Sequence, residues 1–93
     1  MSLSNSQRQN IKNEISDLLC GSFRMKGHFA DDRDFYIYSA FFNNEDDYWE
    51  NIDNKQLDRK VLKIFQRYGG GMNRYDASSN EREIWWMMDE RDC

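Results

Sequence analysis

Residues 35–42 read Phe35-Tyr36-Ile37-Tyr38-Ser39-Ala40-Phe41-Phe42, with large apolar side chains at odd and even positions alike. A strand directs successive side chains to opposite faces of its sheet, so this run supplies anchors to both sides. Ile84-Trp85-Trp86-Met87-Met88 repeats the pattern near the other end of the chain. A chain of 93 residues has few helices with which to cover two sheet faces. One face is therefore expected to stay open, and its Tyr, Trp and Met content is that of a protein-contact surface. If the two strands pair in suitable register, Tyr36, Tyr38, Phe42, Trp85 and Met87 share that face, with Trp86 a further contact candidate. The competing arrangement places helices on both sides and makes all of these residues core.

Upstream, Phe23, Met25, Gly27 and Phe29 alternate with Ser22, Arg24, Lys26 and His28, the two-residue period of a half-buried strand. Ala30–Arg33 reads as a turn, and 34–43 as the return strand of a hairpin. Before it, Ile11, Ile15, Leu18 and Leu19 fall on one helical stripe, with Ser6 and Gln9 as a capping box and Gly21 as the stop. Downstream, acids after Asn43-Asn44 suit a helix start. Tyr48, Trp49 and Ile52 follow at helical spacing, and Leu57, Val61, Ile64, Phe65 and Tyr68 form a second stripe. The two stripes are out of phase, so the helix should break near 51–54, with Asp53 capping the second part. Gly69-Gly70-Gly71 ends it. A second hairpin is expected from Met72–Asp76 and Glu81–Met88 around Ala77-Ser78-Ser79-Asn80. The expected fold is one α+β domain over 1–93: helix, hairpin, broken helix, hairpin, with one small antiparallel sheet packed with helices. Residues 1–5 and 89–93 read as frayed ends.

The chain has no proline and carries a formal net charge of −4. That field disfavours non-specific attraction to nucleic acid or anionic membrane. No apolar run reaches membrane-span or signal-peptide length. Cys20 and Cys93 form neither a disulfide framework nor a zinc pattern, which points to reduced thiols and a cytoplasmic location.

The charges are segregated. Residues 44–54 carry Glu45, Asp46, Asp47, Glu50 and Asp53 and no base. Carboxylates so spaced, with Trp49 among them, can occupy a basic groove on a protein target; as helix-start acids they also serve the dipole. Lys55, Arg59, Lys63 and Arg67 recur at i+4 and share one helix face, which with Arg74 is a candidate phosphate-tracking ridge. His28 with Asp31, Asp32 and Asp34 lacks the second histidine of a usual zinc set, and the triple glycine lacks a phosphate loop's ending. No catalytic residue, metal or cofactor is assigned.

The order of elements resembles that of class I type III secretion chaperones, which are also small and acidic, although this chain is shorter and shares no motif with them. The resemblance implies a binding role and, with it, a homodimer. The reading from the residues is a small acidic, non-enzymatic protein-binding inhibitor of the phage anti-defence or toxin-immunity type. It would act through the aromatic sheet face and the acidic segment. The alternative is a nucleic-acid-binding regulator using helix 55–67.

Overall fold

The computed structural model describes residues 3–93. Along the chain lie α1 (Asn5–Leu18), β1 (Phe23–Phe29), β2 (Phe35–Phe42), α2 (Glu45–Ile52), α3 (Leu57–Arg67), β3 (Gly71–Ser78) and β4 (Glu83–Asp89). The strands form one antiparallel sheet in the order β1-β2-β4-β3. This is the α+β fold expected from the sequence, with the two hairpins joined through β2 and β4.

Local chemistry sets the element ends. Ser4, and not Ser6, caps α1: its hydroxyl accepts from the Gln7 N–H at 3.1 Å, while the Gln7 side chain accepts from the Ser4 N–H. Ser4/Gln7 and Ser6/Gln9 have the same spacing, and the helix takes the earlier pair because Leu3 and Arg8 are then buried. Asn44 caps α2 by accepting from the Asp47 N–H at 2.9 Å. The Asp47 carboxylate accepts in turn from the Ser22 N–H at 2.9 Å, tying the start of β1 to the helix. Gly21 beside it has φ +86, and a Cβ there would lie 2.4 Å from Asp47 Cγ, so the position suits only glycine. The expected break between the helical stripes is present. Asp53 ends α2 there instead of capping α3, whose N-cap is Gln56 without a side-chain bond.

All three helices pack on the same side of the sheet. Arg8 of α1 lies over the rings of Phe29 and Tyr36. Tyr48 of α2 meets Phe42 at 6.3 Å between ring centroids, and Phe65 of α3 meets Tyr38 at 5.7 Å. Trp86 Nε1–H donates to Asp58 of α3 at 2.8 Å. The core is Leu3 just ahead of α1, Ile11 and Ile15 of α1, Tyr48 of α2, the Leu57, Val61, Ile64 and Phe65 stripe of α3, and Tyr38, Ala40, Phe42, Ile84, Trp86 and Met88 from the sheet. Aromatic area does much of the burying in so short a chain.

Near the chain ends Leu3 is buried, Asn5 opens α1 and Asp89 closes β4. Glu90 is 1% exposed and forms a two-pronged ion pair with Arg8, Nε to Oε2 at 2.9 Å and one terminal nitrogen to Oε1 at 2.7 Å. This buried pair clamps the last residues onto the first helix. Expected fraying of residues 1 and 2 lies outside the described residues. No helix among the described residues is long and apolar enough to cross a membrane.

Candidate functional site

With every helix on one side, the other face of the sheet has no covering layer. Its composition follows from the alternation of each strand and the register between them. β2 places Phe35, Ile37, Ser39 and Phe41 there, opposite the core residues Tyr36, Tyr38, Ala40 and Phe42. In the β2–β4 register Ile37 faces Met87 and Ser39 faces Trp85. In the β1–β2 register Arg24 faces Phe41, Lys26 faces Ser39 and His28 faces Ile37. Arg74 and Asp76 of β3 face Met87 and Trp85.

The result is an apolar band of Phe35, Ile37, Phe41, Trp85 and Met87 with basic groups along the β1 side. The cations lie on the rings. Arg24 and Lys26 both lie 5.3 Å from the Phe41 centroid, Arg74 lies 5.4 Å from Trp85, and Arg91 lies 5.3 Å from Phe35. Each such contact at an exposed site is worth about 0.5–1 kcal/mol. All five apolar side chains are half-buried, Phe35, Phe41 and Trp85 of them beneath charged stems. Glu83 sits on this face too. Burial raises its carboxyl above the usual range, neighbouring Glu81 adds to the effect, and Ser39 and His28 oppose it.

Several residues expected at a contact surface are placed elsewhere. Tyr38, Phe42 and Trp86 are core, and Tyr36 packs against that core beneath Arg8. The proposed grouping of Tyr36, Tyr38 and Phe42 with Trp85 and Met87 is therefore corrected: register puts Trp86 and Met88 on their face instead. Trp85 alone of the aromatic candidates in the strands lies on the open side. Asp47 is occupied by its capping bonds. Glu45, Asp46 and Trp49 are exposed, Trp49 to 47%, with Glu50 exposed on the same short helix and Asp53 at its C-cap. This acidic patch lies on the helix side, separate from the open face.

Arg59 and Lys63 form an exposed ridge on α3, whereas Lys55 is exposed in the turn before the helix and is not part of it. Arg67 is bonded to Glu14 of α1, which also accepts from the Tyr68 hydroxyl at 3.0 Å. Arg74 is not part of the ridge, because it lies over Trp85 on the far side of the sheet. His28 stands opposite Ile37, and no cluster of His, Cys, Asp or Glu suited to a metal ion occurs among the described residues. Both cysteines are free. Burial raises the Cys93 thiol above its ordinary pKa, and Glu90, Asp89 and Asp92 reinforce the shift.

Phe35, Ile37 and Phe41 were missed as site residues. The usable signal was the polar half of the β1 alternation. Arg24, Lys26 and His28 mark the face that β1 leaves open, and a hairpin pairing Phe29 with Tyr36 assigns the odd residues of β2 to it. Comparison with protein-family models, curated proteins and solved structures found no match.

Proposed function

We propose that the chain is a non-enzymatic protein-binding inhibitor that blocks a protein target by covering it with the open sheet face. Its mode of action would be the simple blockade used by phage anti-defence and toxin-immunity proteins. The observation that carries this reading is the uncovered band of Phe35, Ile37, Phe41, Trp85 and Met87. An apolar band of that composition, rimmed by arginine and lysine, supports a docking role because Trp, Phe, Met and Arg are enriched where interfaces draw their energy. Arg24, Lys26 and Arg74 favour a target whose contact surface is apolar with an acidic rim. Carboxylates of α2 add a second charged surface on the helix side. The residues proposed to carry binding are thus Phe41, Trp85 and Met87, with Glu45, Asp46 and Trp49 as an accessory patch.

A second reading rests on the same stacked pairs. Arg24 and Lys26 over Phe41, and Arg74 over Trp85, are arrangements onto which bases of single-stranded nucleic acid can stack. The overall charge of −4 opposes it.

Affinity capture from the chain's native cell lysate, with and without nuclease, separates the two. Wild type, Trp85→Glu and an Arg59→Glu/Lys63→Glu variant are compared after circular dichroism confirms folding. The proposal expects a nuclease-resistant protein partner retained by the α3 variant and lost by Trp85→Glu. A partner that wild type and both variants retain contradicts the open-face reading. Recovery that collapses with nuclease supports the nucleic-acid reading.

A further inference from the structure

On the helix side of the sheet, the α2–α3 junction arches over β3 and leaves a cleft of about 280 Å³. Ile52, Leu57 and Ile84 contribute apolar lining and Asp58 its unpaired charge, while Asp76 at the cleft edge pairs with Arg74 at 3.8 Å; no lysine, arginine or histidine lines it. Asp58 is half-buried, and one carboxylate oxygen accepts from Trp86 Nε1–H at 2.8 Å. Because Trp86 is locked in the core, this bond fixes the direction of the carboxylate. No basic nitrogen is within ion-pair distance of Asp58 among the described residues. Tyr75 completes the lining while 54% exposed, an unusual position for a large ring that packs little of its own core.

We propose that this cleft binds a guanidinium on an apolar stem, namely an arginine side chain presented by a partner protein. The parts match the group. A guanidinium pairs with a fixed carboxylate and stacks on an aromatic face, and its methylene stem needs apolar walls. Lysine matches less well, since its ammonium is a strongly hydrated point charge without a stacking plane. Exposed Glu45, Asp46 and Glu50 of α2 and its C-cap Asp53 lie on the same side of the sheet as the cleft, as do exposed Lys55, Arg59 and Lys63. The cleft and the open sheet face lie on opposite sides of the sheet, so this inference stands or falls independently of the proposed function.

The test titrates the full chain with Nα-acetyl-arginine amide and, in parallel, with Nα-acetyl-citrulline amide, which keeps the shape and lacks the charge. Amide chemical shifts are followed in two-dimensional NMR. The arginine derivative is expected to cause saturable shifts at Leu57, Asp58, Tyr75 and Ile84, and citrulline none. Asp58→Asn keeps an oxygen acceptor for Trp86 while removing the charge, and should weaken binding about tenfold. Tyr75→Ala, at an exposed position, should weaken it as well. Absence of saturable shifts, equal binding of citrulline, or unchanged affinity in both variants would overturn the proposal.

Discussion

Trp85 and Trp86 are neighbours in sequence and lie on opposite faces of β4, so their separate replacement by alanine measures the face assignment directly. Trp86 is fully buried between β2 and α3, and its indole N–H satisfies Asp58. Removing a buried large aromatic leaves a cavity and costs about 3–5 kcal/mol. Asp58 also loses its donor, which places Trp86→Ala towards the upper part of that range. A 93-residue domain has roughly 5–14 kcal/mol of stability in total, so a third or more of it disappears. At about 4–8 °C per kcal/mol for a domain of this size, the melting temperature should fall by roughly 15 °C or more. Trp85 has the sheet beneath it and Arg74 above it. Its loss removes partial burial and one exposed cation–π contact, about 1–2 kcal/mol together. Urea unfolding followed by far-UV circular dichroism, with m held in common, gives both numbers. Equal costs for the two variants, or a cost for Trp86→Ala below about 1.5 kcal/mol, would refute the arrangement of the faces.

Glu90→Ala should destabilise by about 3–5 kcal/mol in the same assay because it leaves Arg8 buried and unpaired. Combining Arg8→Met with Glu90→Leu should recover most of that loss; failure to recover would show that the pair does more than satisfy itself. Tyr38 is buried, and its hydroxyl has no hydrogen-bond partner among the described residues. Tyr38→Phe should therefore leave stability unchanged or raise it by about 1 kcal/mol, and a clear loss would mean the hydroxyl is satisfied in solution. The carboxyl of Glu83 has a raised pKa in the fold, chiefly from burial. Its protonated form is thus favoured by folding: that contribution is present below the ordinary glutamate range near pH ~4.3 and lost as pH rises through the raised value. Glu83→Gln is expected to melt higher than wild type at pH 7, with the gap closing in acid; a gap independent of pH would contradict the assignment.

Much of the fold is legible in the residues because local periods decide it. The strict alternation of 22–29 specifies β1, and the stripe from Leu57 to Phe65 specifies α3 and its buried face. The order of elements then follows from turn residues and glycines. The contact face is only half legible, for a physical reason. Alternation says that Tyr36, Tyr38 and Phe42 share one face and that Trp85 and Met87 share one, but pairing β2 with β4 spans about forty residues of intervening chain. A one-residue slip there exchanges the partners, and nothing local sets it. The bulge between Met72 and Arg74 shifts the parity of β3 in the same hidden way, moving Arg74 off the α3 side. The tail shows the converse limit. Asp89-Glu90-Arg91-Asp92 looks solvated by composition, and the partner that buries Glu90 lies 82 residues away.

The central claim is that the open sheet face is where a protein target sits. Oxidative footprinting, read residue by residue on the free protein and on the captured complex, addresses it most directly. The account predicts that Trp85, Met87 and Phe41 are labelled in the free protein and protected in the complex, while core Trp86 is protected in both. Equal labelling of Trp85 and Met87 with and without the target would contradict it.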